Sequence, residues 1–224
     1  MANHDLAVVV LAAGKGTRLR SSLAKVLHRA GGRALVEQVL RACAPLKAKK
    51  TVAVVGHQAE QVTAVVAPLG ALSVLQQPQN GTGHAMQVAR RALGNAKFAI
   101  VLPGDAPLIR TETLKALLTA HRAAGASATI LTAVVADPSG YGRILRKSGD
   151  HVAAIVEESQ LADAQREINE INSAIYCFTL KNLWPALAKV KPNNKHREIY
   201  LTDAVAAMAA NGETVVAQVA EDAR

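Results

Sequence analysis

LAVVVLAAGKGTRLRSSLAK, residues 6–25, is the stretch that decides the fold. Residues 6–13 form an unbroken apolar run, the pattern of a parallel strand buried on both faces. The chain then enters Gly14-Lys15-Gly16-Thr17-Arg18, where two glycines free the backbone to turn its N–H groups towards a ligand. Lys15, Arg18 and Lys25 add positive charge beside that turn. Open α/β folds hold polyphosphates in this way, on a Gly-rich cationic turn at the C-terminal end of a strand. The general motifs do not fit. A P-loop needs G-x-x-x-x-G-K-[ST], and a dinucleotide fingerprint needs a small residue where Leu19 stands. The plainer alternative is a strand-to-helix turn with solvated lysines.

The 224 residues suit one domain with a substantial core. Half are apolar and 19% are charged, a globular rather than a disordered composition. A net charge of +9 suits nucleic acid or small polyanions. Only 3% of residues are aromatic and the cations are scattered, which favours small anions over a nucleic-acid surface. No stretch approaches the ~20 apolar residues of a membrane span. The first apolar run has no preceding Lys or Arg, unlike a signal peptide. Cys43 and Cys177 sit in separate apolar elements and read as buried free thiols of a cytoplasmic protein.

Outward from the turn, apolar spacing predicts a helix over 34–46, a strand over 51–55, a helix over 58–67 and a strand over 72–75. A polar loop fills 76–83, with a helix starting near His84. A strand over 98–102 runs into Pro103-Gly104-Asp105-Ala106-Pro107, then a helix with Thr111 as N-cap and a strand over 127–134. This alternation means βαβ units and a parallel sheet. From Asp137 the rhythm changes to a hairpin around Ser148-Gly149, a strand over 171–178, a helix opened by Thr202-Asp203 and a strand over 214–219. The N-terminal half reads as a nucleotide-binding sheet and the C-terminal half as an extension covering a second substrate.

Asp105 follows a buried apolar strand, where open sheets place metal ligands; Mg²⁺ takes one or two carboxylates with phosphate oxygens and water. A turn-capping Asp is the alternative. Gln76 and Gly81-Thr82 end the third strand, where an amide and backbone groups can read a base edge, or form an ordinary polar loop. His84 reads as a helix-start residue. Glu157 and Asn172, at edges of C-terminal strands, can hydrogen-bond sugar hydroxyls or an amide, or be plain edge residues. The histidines are dispersed, which argues against a transition-metal site, and no G-x-S-x-G supports a nucleophilic serine.

LAAGKGTR at 11–18, Lys25-Val26-Leu27-His28, Gln76, Asn80-Gly81-Thr82-Gly83-His84-Ala85, Gly104-Asp105-Ala106-Pro107-Leu108, Gly140-Tyr141-Gly142-Arg143-Ile144, Ile155-Val156-Glu157, Glu170-Ile171-Asn172 and Tyr200-Leu201-Thr202-Asp203 occur in order. Together they resemble the uridylyltransferase domain of the bacterial N-acetylglucosamine-1-phosphate uridylyltransferases, over nearly the whole chain. The resemblance implies a Rossmann-like α/β nucleotide-diphospho-sugar transferase fold, with a mixed, mostly parallel sheet and helices on both faces. It implies transfer of UMP from UTP to N-acetylglucosamine 1-phosphate, giving UDP-N-acetylglucosamine and pyrophosphate for cell-wall precursor synthesis. By the same resemblance Leu11, Ala12, Ala13, Gly14, Gly16 and Thr17 hold the nucleotide, and Arg18 and Lys25 act on its phosphates. Gln76, Gly81 and Thr82 read the uracil. Asp105, next to Gly104, binds Mg²⁺, and Gly142, Glu157 and Asn172 hold the sugar. Such chemistry needs no general base, because the attacking sugar phosphate is already ionised.

The sequence departs from that pattern in three places. Ala24 replaces a proline, which is expected to loosen the aim of Lys25. Arg197-Glu198-Ile199 replaces Gly-Glu-Tyr near the sugar. A second metal ligand, an asparagine, and an acetyltransferase β-helix lie beyond Arg224 in that family. The chain is therefore read as a fragment, expected to be monomeric where the full-length family is trimeric, and slow in turnover unless Glu221 or Asp222 substitutes. Two alternatives remain open: a nucleotidylyltransferase for another sugar or polyol phosphate, and a non-catalytic nucleotide-sugar-binding module.

Overall fold

Strand β1 (Asn3–Ala12) is the axis of the sheet, pairing in parallel with β4 and β6 on its two sides (ranges below). Its side chains alternate between two cores. Ala7 and Val9 face one, while Leu6, Val8, Val10 and Ala12 face the other. That double burial is why the run carries no polar residue. The computed structural model describes residues 3–16, 19–192, 194 and 197–221.

In chain order follow a short hairpin, β2 (Arg29–Ala30) and β3 (Arg33–Ala34), then α1 (Leu35–Cys43), β4 (Ala48–Val55), α2 (Ala59–Val66) and β5 (Leu72–Leu75). Next come α3 (Gly81–Leu93), β6 (Phe98–Pro103), α4 (Thr111–Ala123) and β7 (Ala128–Val134). The remainder is β8 (Arg143–Ser148), β9 (His151–Val156), β10 (Glu170–Thr179), α5 (Leu180–Lys189), α6 (Leu201–Ala210) and β11 (Val215–Val219). Among the described residues nine strands form one sheet in the order β5-β4-β1-β6-β10-β7-β11-β9-β8. Helices α1, α2 and α4 cover one face through Val36, Val39, Val62 and Leu117. Helices α3, α5 and α6 cover the other through Met86, Leu93, Leu183 and Met208.

The expected βαβ rhythm holds from β1 to β6, with β5, β4, β1 and β6 all parallel. The C-terminal half is not a separate layer laid over the N-terminal sheet. Strand β10 inserts antiparallel between β6 and β7, so the C-terminal half completes the same sheet. Its Ile175, Tyr176, Cys177 and Phe178 are all buried, as a central strand requires.

Local differences have simple causes. Helix α3 starts at Gly81 rather than near His84, because Thr82 Oγ1 accepts the Leu201 N–H at 3.0 Å and holds the first turn in place. Thr111 is the first residue of α4 rather than its cap; its hydroxyl donates to the Ala42 carbonyl at 2.7 Å, tying α4 to α1. Helix α5 has no counterpart in the sequence reading, since Pro185 interrupts its pattern. Cys43 and Cys177 are buried free thiols. No helix among the described residues is long and apolar enough to cross a membrane.

Candidate active site

The C-terminal ends of β1, β4, β5 and β6 form one rim, the side on which open α/β sheets bind ligands. Gly104 donates its N–H to the Leu11 carbonyl at 2.8 Å, and His57 donates to Ala13 at 3.1 Å, so the β1 turn is fixed from both flanks. Ala12 and Ala13 are buried beneath it, and Gly14 has open space where a Cβ would stand. Gly16 has φ +63°, and a Cβ there would fall 2.6 Å from Cβ of Lys25. This glycine is required by the lysine that packs on it. Thr17 and Arg18 lie outside the described residues.

Lys25 is anchored by its neighbours. Val26 and Leu27 are buried, and the His28 N–H bonds back to the Lys25 carbonyl. From this base Lys25 Nζ reaches Asp105 Oδ2 at 2.5 Å. The substitution at Ala24 does not loosen that aim. Ala24 keeps a proline-like φ of −54°, is fully buried, and uses the N–H a proline would lack to bond Gln58 Oε1 at 2.7 Å. Gln58 Nε2 also donates to the Ser22 carbonyl at 2.8 Å. Gln58 thus clamps the segment before Lys25, from a left-handed φ of +51°. No sequence signal marks Gln58 for this role; it follows only from the tertiary approach of residues 22–24 to the end of β4.

Gln76 continues the pairing of β5 with a 2.8 Å bond to the Val55 carbonyl, then turns its side chain inward, only 4% exposed. Its Nε2 donates to the Gly81 carbonyl at 2.9 Å and lies 3.2 Å from His84 Nδ1. A cavity of about 530 Å³ opens here, lined by Lys15, Gly56, His57, Gln76 and Gln79 among others. Gly81, with φ +93°, has the Ile199 carbonyl 2.5 Å from where its Cβ would be. Ile199 in turn bonds Asn80 and Gly83, which docks residues 197–201 against the start of α3.

Across the rim, Gly142, Glu157 and Asn172 converge. The Asn172 N–H donates to the Gly142 carbonyl at 2.9 Å, and a Cβ on Gly142 would lie 3.6 Å from Glu157 Oε2. A bulge in β10 aims Asn172. The register shifts between Asn172 and Ile175, Ala174 takes φ +61°, and Asn172 Oδ1 accepts the Ala174 N–H at 3.0 Å. The Asn172 amide donates to Oη of buried Tyr176 at 2.8 Å. Thr202 Oγ1 donates to Glu157 Oε1 at 3.2 Å. Burial raises the Glu157 carboxyl above its ordinary range; the Thr202 hydroxyl opposes this and Asp203 adds to it. Burial likewise raises Asp203. Leu201 bonds Thr82 and its neighbour Thr202 bonds Glu157, so the start of α6 links the Gln76 side to the Glu157 side. No sequence signal marks Tyr176 for the site, and Thr202 is legible in the sequence only as part of a helix start.

Among the described residues no group of three or more His, Cys, Asp or Glu is placed to hold a metal. Asp105 is one hard oxygen donor at the rim, 22% exposed and already carrying a cation, the Lys25 ammonium. That chemistry fits a Mg²⁺ ion that draws its other ligands from phosphate and water.

The architecture is that of a nucleotide-sugar transferase fold. It matches the crystal structure of UDP-glucose pyrophosphorylase complexed with UDP-glucose at a TM-score of 0.80, over 97% of this chain and 91% of that one. At 18% identity the likeness is one of fold. The chain belongs to the MobA-like NTP transferase domain family, whose model matches residues 8–207. It is 49% identical over 203 residues to the bifunctional protein GlmU of Synechococcus sp. (strain CC9605), covering 90% of this chain and 45% of that protein. It is 48% identical over 212 residues to GlmU of Geobacillus thermodenitrificans (strain NG80-2), covering 93% and 46%. GlmU of Lactococcus lactis subsp. cremoris (strain SK11) is 43% identical over 215 residues, covering 96% and 47%. The chain thus spans about half the length of these relatives or slightly less.

Proposed function

We propose that residues 1–224 act as one nucleotidylyltransferase domain. It transfers UMP from UTP to N-acetylglucosamine 1-phosphate, releasing pyrophosphate and forming UDP-N-acetylglucosamine. The observation that carries this reading is the meeting of Lys25 and Asp105 at 2.5 Å beside the Gly14-Lys15-Gly16 turn. It sets a cation beside a carboxylate on the rim where open α/β sheets bind ligands, the pair of groups that a triphosphate and its metal call for. The match to GlmU proteins over most of the chain supports the choice of substrates.

In this account the backbone of Leu11, Ala12, Ala13, Gly14 and Gly16 cradles the nucleotide, with Thr17, and Gly104, whose missing Cβ lets β6 close against Leu11, Val10 and Val26, holds Asp105 beside that cradle. Gln76 and the N–H groups of Gly81 and Thr82 face the uracil; as the first groups of α3, those N–H groups lack helical acceptors. Gly142, Glu157 and Asn172 hold the sugar. Gly142 leaves space before the Glu157 carboxylate, which accepts a hydroxyl, and the remaining Asn172 amide proton meets the N-acetyl or hydroxyl oxygen. The sugar phosphate attacks the α-phosphorus in line, the α–β bond breaks and pyrophosphate leaves. Lys25 and Arg18 stabilise the charge that grows on the phosphates, and fixed geometry supplies much of the acceleration. A Mg²⁺ ion at Asp105 would neutralise charge on the same oxygens when bound.

The test is an acceptor panel. Pyrophosphate release from UTP is measured with N-acetylglucosamine 1-phosphate, glucose 1-phosphate and a polyol phosphate. The reading expects the first to give the highest kcat/KM. A higher value for another acceptor would transfer the assignment to that substrate.

A further inference from the structure

The environment of Gln76 points to a role for His84, in the first turn of α3. The Gly81 carbonyl only accepts hydrogen bonds, so the end of the Gln76 amide facing it at 2.9 Å is the NH₂ end. The same nitrogen lies 3.2 Å from His84 Nδ1. With one proton on Gly81, the other falls on Nδ1, which accepts it when the imidazole carries its own proton on Nε2. Both amide protons are then engaged. Oε1 is the remaining polar atom, with no partner among the described residues and not sealed from solvent, on a residue lining the 530 Å³ cavity.

An amide that offers only an acceptor distinguishes pyrimidines when that acceptor faces N3. Uracil presents a proton there, while cytosine presents a lone pair, which a carbonyl oxygen repels; facing C4 instead, the same oxygen would favour the cytosine amine, so a preference for uracil requires Oε1 at N3. Turning the amide over would reverse the preference. In this structure turning it over breaks two hydrogen bonds and sets two carbonyl oxygens against each other. We propose that His84 is a positioning residue that locks the Gln76 amide in one orientation and thereby sets the preference for uracil over cytosine. The inference rests on the reading of Gln76 as the base-contacting residue.

The experiment compares kcat/KM for UTP and CTP, by pyrophosphate release with N-acetylglucosamine 1-phosphate, in wild type and three His84 variants. His84→Ala removes one of the two bonds and lowers the UTP:CTP ratio about tenfold, the scale of one hydrogen bond. KM for the sugar phosphate stays unchanged. His84→Lys, which offers only donors, lowers the ratio at least as far. His84→Asn, whose side-chain oxygen falls near the position of Nδ1, retains the wild-type ratio. An unchanged ratio in both His84→Ala and His84→Lys would overturn the proposal. A wild-type enzyme that does not favour UTP would overturn the base-reading role of Gln76 itself, and this inference with it.

Discussion

Lys25 and Asp105 meet at 2.5 Å across the mouth of the glycine-rich turn, one on a short helical turn after β1 and the other just past β6. The carboxylate assigned to a metal therefore already holds a cation from the same chain. A metal arriving at Asp105 competes with the lysine, and a triphosphate offers the displaced ammonium a new partner. Replacing Lys25 by Met should let Mn²⁺, used as a paramagnetic probe, bind the free protein about tenfold more tightly. The same variant should lose about two orders of magnitude in turnover. Mn²⁺ binding no tighter than in wild type would show that the two cations do not compete.

Asp105→Ala should remove pyrophosphate release at every Mg²⁺ concentration. The side chain is partly exposed and its ion pair is with a half-exposed lysine, so the melting midpoint should stay within about 2 °C of wild type. Residual release that still rises with Mg²⁺ would place the metal elsewhere.

Gly16→Ala tests the floor under Lys25. A Cβ at this position meets Cβ of Lys25 at 2.6 Å, and the backbone has φ +63°. The lysine must shift, and a displacement of about 1 Å near reacting groups lowers rate by about a hundredfold. Expected is a fall in kcat of about 10- to 100-fold. Wild-type kcat would show that the aim of Lys25 does not depend on this contact.

Arg197 adopts φ +54°, a left-handed conformation that favours glycine. Arg197→Gly should raise stability by about 0.5 to 1 kcal/mol, the relief of strain less the added freedom of the unfolded chain. Urea unfolding reads this directly. A lower midpoint would mean that the Arg197 side chain contributes more than its backbone costs.

His121 supplies a pH dependence. It is fully buried between Thr129 and Thr179, at 2.9 and 3.0 Å, and burial, reinforced by Arg122, lowers its pKa from 6.5 to about 4. Between those values the unfolded chain binds a proton that the folded protein excludes. The stability is fully present above pH 6.5 and is lost as pH falls towards 4, by about 3 kcal/mol in all. His121→Gln, which cannot titrate, should lose that much less over the same window. Parallel losses in both proteins would contradict this.

The reach of the sequence is clear from particular residues. The run before Gly14 gave away β1, since a central parallel strand tolerates no polar side chain on either face. Asp105 and Gln76 stand out as site candidates because each closely follows a strand, and sheet topology puts both at one rim. Contacts made by distant backbone were not legible. Gln58 reaches Ser22 and Ala24 only after folding, and the bulge at Ala174 that aims Asn172 needs the paired strand to define it. Strand β10 could not be placed between β6 and β7, because an apolar run does not name its neighbours. Ala24 has the same character: in sequence it is a lost proline, and only the folded chain supplies Gln58 as the partner of its N–H.

The measurement that bears most directly on the account is pyrophosphate release by purified 1–224 with UTP, N-acetylglucosamine 1-phosphate and Mg²⁺. The account predicts release that stops when any one of the three is omitted. Release that proceeds without the sugar phosphate, or no release with all three present, would contradict it.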